Sequence, residues 1–231
     1  MTDPNSCEHG ARTSRPPTNW DPPLVTLITA ALPPLPPVPS PDTQRLAFTH
    51  KSSLIDHKDG TRSDNYLAEL GSNGRLEWLV DSLLHWLVSR QLYRLFAHAS
   101  SGFLTELRGR YVSNRLWSHI SWHYGLPQKF VTEPTTTRKG RLAVSLEQKT
   151  AANVFEAYLG AVIEAAGDAE TGSRIVEDYI GNLFTPAVFP DLSLLITELS
   201  TAPVRITGEK EDKRRWLQTS LAASSGAKSH S

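Results

Sequence analysis

Glu77, Asp81, His85 and Ser89 stand four residues apart in a stretch that is otherwise apolar. Positions at that spacing share one helix face. Leu76, Leu79, Leu83 and Leu87 recur at helical intervals through residues 73–96, so the polar stripe belongs to a helix. Trp78, Val80, Leu84, Trp86, Val88 and Leu92 cover most of the remaining surface, which predicts a helix buried at the domain centre. Two neighbouring carboxylates are costly there, and a bound cation or an arginine is the usual compensation. An exposed or salt-bridged stripe is the plain alternative. A second polar set, Asn153 and Glu156, interrupts a helix made of Ala152, Phe155, Leu159 and Val162, with Gly160 permitting close approach. If the two helices turn these sides toward each other, Glu77, Asp81, Asn153 and Glu156 bring three carboxylates and one amide oxygen together. Such hard oxygen donors suit Mg²⁺, and also Mn²⁺.

The elements that must position these groups are helical throughout. Residues 102–120 read as a second helical stretch, 149–166 as a third ended by Gly167, and 171–184 as a last long one. Residues 131–143 are polar, basic and turn-rich, hence a loop. No alternating strand pattern and no internal repeat occurs, so the fold class is all-α. Residues 1–41 carry many of the sixteen prolines and read as a disordered, extended arm, because proline lacks the amide donor of a helix interior. The helical domain is expected over 42–190. Beyond it, 191–231 reads as one short apolar helix followed by a polar tail.

Composition narrows the function classes. Lys+Arg and Asp+Glu both number 24, giving zero formal net charge, so any polyanion contact must come from local basic patches. Arg108, Arg110, Arg115, Arg138, Lys139 and Arg141 are the candidates, with ordinary solvated surface as the alternative. The single cysteine, Cys7, excludes a disulfide framework and a cysteine-rich zinc site. His119 and His123 are four apart but lack a third ligand in sight, so a surface or interface pair is the reading. The six tryptophans read mostly as core packing. The apolar run from Leu24 to Leu32 is too short to span a bilayer. No targeting segment stands out, and an intracellular, nuclear or cytoplasmic, protein is expected, with mitochondria left open.

Four ordered blocks then resemble one family. Asn73-Gly74-Arg75-Leu76-Glu77-Trp78-Leu79-Val80-Asp81-Ser82 is similar to the ribonuclease III signature Asn-Glu-Arg-Leu-Glu-Phe-Leu-Gly-Asp-Ser. Phe48-Thr49-His50-Lys51-Ser52 resembles its Thr-His-Arg-Ser block. Leu104-Thr105-Glu106-Leu107-Arg108 with Val112-Ser113-Asn114, and the run from Thr150 to Ala161, resemble two further blocks. The resemblance implies a helical endoribonuclease domain that dimerises, with itself or a homologue, and cuts double-stranded RNA with a Mg²⁺-activated water. Carried over by position, Glu77, Asp81 and Glu156 would be catalytic carboxylates and, with Asn153, the metal ligands. Asn153 stands where the family has an aspartate, which removes one negative charge. Gly74 replaces a glutamate associated with the dimer interface or the outer site, and Val80 replaces a glycine. The alternative is an inactive relative acting as an RNA-binding or structural subunit, for example of a mitochondrial ribosome, or as the partner of an active homologue. About forty residues follow Pro190, too few for the double-stranded-RNA-binding module often appended in this family.

Overall fold

The computed structural model describes residues 16–54, 68–131 and 147–201. Seven α-helices are described: α1 (Pro41–Ala47), α2 (Gly74–Leu95), α3 (Ser101–Tyr111), α4 (Asn114–His123), α5 (Gln148–Ala165), α6 (Ala169–Leu183) and α7 (Pro190–Thr201). The described residues hold no strand, only a single parallel bridge between Thr49 and Val131. None of their helices is long and apolar enough to cross a membrane. The all-α expectation holds.

The central helix is α5, not α2. Every residue from Val154 to Ile163 in α5 is buried, and the helix packs against α1, α2, α4 and α6. This follows from its composition: Ala151, Ala152, Ala157, Gly160 and Ala161 are small enough for four neighbours to crowd one axis. A Cβ on Gly160 would lie 2.3 Å from the Leu76 carbonyl oxygen, so glycine sets the closeness of α5 and α2. Gly172 does the same for α6 against Ile163, where a Cβ would sit 2.6 Å from backbone. Gly167, at φ +87°, ends α5 in the left-handed region that glycine tolerates best. Asp168 opens α6 by accepting a hydrogen bond from the Thr171 amide.

Helix α2 departs from the fully buried rod expected of it. One side, Leu76, Val80, Leu84, Leu87, Val88 and Leu92, enters the core. Trp78, Trp86 and Tyr93 instead stand on the outside, Trp78 at 80% exposure. An all-round apolar pattern signals that a helix is covered, but not by what. The tryptophans accordingly divide: Trp20 and Trp117 are buried, while Trp78 and Trp86 are not. The stretch 102–120 also proves to be two helices. Ser113 breaks it, its hydroxyl accepting from the Leu116 amide to start α4.

Of the proline-rich segment 1–41, residues 1–15 lie outside the described residues. Residues 16–40 are not loose but lie along the helical body, with Trp20 and Val25 buried. The Tyr158 hydroxyl donates to the Pro36 carbonyl at 2.9 Å and the Tyr124 hydroxyl to that of Pro33. The Ile28 amide donates to the Val188 carbonyl at 2.9 Å. Proline forbids helix here, yet its unpartnered carbonyls remain free to accept from tyrosines.

Candidate active site

The Gly160 contact sets the spacing of the facing helices, and with it the site. Glu77 and Asp81 on α2 lie within electrostatic reach of Glu156 on α5, and Asn153 donates a side-chain hydrogen bond toward Glu77. A cleft of about 730 Å³ opens here, lined by Glu77, Asp81, Asn153 and Thr150 together with His50, Lys51, Glu69 and Arg75. Glu156 is buried beside it at 6% exposure, and no hydrogen bond or ion pair is made to it by any described residue. Burial, then the charges of Glu77 and Asp81, push its carboxyl up to about 8; Lys149 works in the opposite sense. Burial raises Glu77 too, against the pull of Lys149 and the Asn153 hydrogen bond.

The expected meeting of all four groups is therefore realised as a facing arrangement rather than a tight cage. Among the described residues no three acidic, imidazole or thiol groups are gathered at ligand spacing. Asn153 gives its amide to Glu77. The other end of the α2 stripe follows the plainer alternative. Asp81 is half exposed and stands 3.8 Å from His85 Nε2, and Ser89 donates to the His85 carbonyl of its own helix.

The front wall of the cleft comes from the 48–51 segment. The His50 amide donates to the Val131 carbonyl, the Val131 amide to that of Phe48, and the Asn73 amide to that of Thr49. This stitching aims His50 and Lys51 at the acidic helix. The Ser52 amide donates to His50 Nδ1, so the ring proton sits on Nε2. Burial, reinforced by Lys51, holds the His50 pKa below its usual value.

Sequence reasoning assigned no role to His50, Lys51, Glu69, Arg75 or Lys149. For Lys149 a signal existed, since it is four residues before Asn153 and seven before Glu156, on the same face. Of the basic candidates, Arg138, Lys139 and Arg141 lie outside the described residues. Arg110 pairs with Glu106 at 2.8 Å and Arg115 with Asp21 at 3.0 Å, so both are already neutralised. Arg108 reaches Ser89 Oγ at 3.5 Å. His119 donates to the Asp21 carbonyl beside Trp20, and His123 lies against Tyr124, so neither is arranged as a ligand pair.

Fold and site thus define an all-α domain in which two packed helices present hard oxygen donors to an open cleft. Residues 74–167 match the family model described as Ribonuclease III domain. The double-strand-specific pac1 ribonuclease of Schizosaccharomyces pombe is 32% identical over 155 residues, covering 65% of this chain and 41% of that protein. Ribonuclease 3 of Chloroflexus aggregans is 32% identical over 149 residues, covering 62% and 63%. The chain thus spans less than two thirds of either relative. The solved structure of Dicer from Pichia stipitis superposes with a TM-score of 0.50 at 25% identity, covering 78% of this chain and 69% of that one.

Proposed function

We propose that this protein is a divalent-cation-dependent endoribonuclease acting on double-stranded RNA. The observation that carries the reading is Glu156: a buried carboxylate that no described residue hydrogen-bonds or ion-pairs, facing Glu77 and Asp81 across a helix contact, within the stretch that matches the Ribonuclease III domain. Ionising such a group is costly, and a Mg²⁺ or Mn²⁺ ion, which matches the donors, offsets that cost. Glu77, Asp81 and Glu156 would hold the cation, with Asn153 offering its carbonyl oxygen. When bound, the ion supplies a water of lowered pKa and neutralises charge on a backbone phosphate. The chain's own contribution is to fix donor spacing through Gly160 and to keep Glu156 away from bulk water. Lys51, Arg75 and Lys149 around the acids give phosphates a place to approach. The relative named double-strand-specific supports duplex RNA as the substrate. With Arg110 and Arg115 already paired, binding is expected to be modest and salt-sensitive. The exposed aromatic side of α2, Trp78, Trp86 and Tyr93, supports pairing with a second copy or a homologous domain.

The test is cleavage of long double-stranded RNA with Mg²⁺ by wild type, Glu156→Gln and Asn153→Asp. Cutting by wild type that Glu156→Gln abolishes and Asn153→Asp enhances is the expected pattern. Inert wild type that Asn153→Asp does not revive defeats the nuclease reading in favour of a structural role.

A further inference from the structure

Position 74 lacks a side chain, but the space in front of it is filled. A Cβ built on Gly74 would lie 2.8 Å from Glu69 Oε1, so the Glu69 carboxylate already stands where a side chain from position 74 would begin. Glu69 lines the same cleft as Glu77, Asp81 and Asn153. Its place is fixed from behind: the Ser72 amide and hydroxyl both donate to the Glu69 carbonyl, at 3.3 and 2.9 Å. Its other carboxylate oxygen, Oε2, accepts from Lys51 Nζ at 3.1 Å across the cleft mouth.

We infer that Glu69 is a further cation-site residue, supplying from the preceding turn the carboxylate that neither Gly74 nor Asn153 provides. The inference rests on the cation-site reading above. The independent sign that this cleft takes a cation is Glu156 beside it, 6% exposed and given no hydrogen bond or ion pair by any described residue. Glu69 is half exposed and lies on the open side, so it acts on the ion's water shell, and Lys51 is the group it releases when it does so. An acid at 74 would be carried rigidly by the helix. An acid at 69, on a longer reach and held by an exposed lysine, can swing between Lys51 and the ion.

Calorimetric titration of Mn²⁺ into the full chain tests this without reference to cleavage. Outer carboxylates commonly account for tenfold or more in metal affinity, so Glu69→Ala should weaken Mn²⁺ binding about tenfold. Adding Gly74→Glu to Glu69→Ala should restore most of it, because the carboxylate returns to the same volume. Lys51→Met with Glu69→Ala should remain weak. Recovery in that double variant would mean Glu69 merely neutralises Lys51, and would overturn the assignment. So would unchanged affinity in Glu69→Ala while Glu156→Gln abolishes binding, which leaves the central site standing. Wild type that binds no Mn²⁺, or Glu156→Gln that binds it normally, sinks the central site and this inference together.

Discussion

Replacing Glu156 with glutamine separates the two things that a buried carboxylate does. In cation-free protein the folded state holds this proton up to about pH 8, whereas the unfolded chain releases it near 4.5. Below 4.5 both states are protonated, and Glu156 does not make stability depend on pH. Between 4.5 and about 8 only the unfolded chain ionises, so stability falls as pH rises; above about 8 the loss is complete. At 1.36 kcal/mol per decade that interval is worth roughly 5 kcal/mol. Glutamine keeps the shape and cannot ionise, but its buried amide lacks partners and gives back about 1–3 kcal/mol. The net expectation at pH 8 in chelator is that Glu156→Gln is more stable than wild type by about 2–4 kcal/mol. At pH 4.5 the order reverses or closes. Urea unfolding followed by tryptophan fluorescence at the two pH values reads this directly. Adding Mg²⁺ at pH 8 should stabilise wild type, with proton release, and leave Glu156→Gln unmoved. Parallel pH dependence in the two proteins would refute the claim that Glu156 is a desolvated, unpaired acid.

Three further outcomes are expected. Gly160→Ala drives a methyl into the Leu76 carbonyl, so α2 and α5 must separate; thermal unfolding should show a loss of about 2–3 kcal/mol or more, with Mn²⁺ affinity falling alongside. Trp20→Ala removes the ring packed edge-on against Trp122 and His119 and should destabilise the fold by about 3 kcal/mol; an unchanged melting temperature would mean the 16–40 segment contributes nothing to the body. Trp86→Glu on the outer face of α2 should leave the melting temperature of dilute protein unchanged yet shift sedimentation at high concentration toward the monomer, and an unaltered distribution would remove α2 from the pairing surface.

Much of the site was legible before any coordinates. Glu77 and Asp81, Asn153 and Glu156 are paired by helical spacing, and Gly160 one turn beyond Glu156 announced a close crossing. These inferences work because 3.6-residue periodicity is local, and a helix displays its faces in the order of its residues. The end of α5 was likewise readable from Gly167. Other features were not local. Whether α2 or α5 lies at the centre depends on which apolar face finds neighbours, and Trp78 looks identical in sequence whether covered or bare.

The same limit explains Glu69, His50 and Lys51, which reach the acidic cleft through the backbone stitching of 48–50 to Val131 and Asn73. It explains the proline-rich segment too: proline content excludes helix, but tyrosine hydroxyls from α5 and the α4 terminus decide that the segment is bound. Residue types and spacing determined the long helices of the site and which chemistry they carry, because those follow from covalent geometry and side-chain polarity. Which groups share one dielectric environment, and hence why Glu156 keeps its proton to about pH 8, is decided only when distant segments exclude water together.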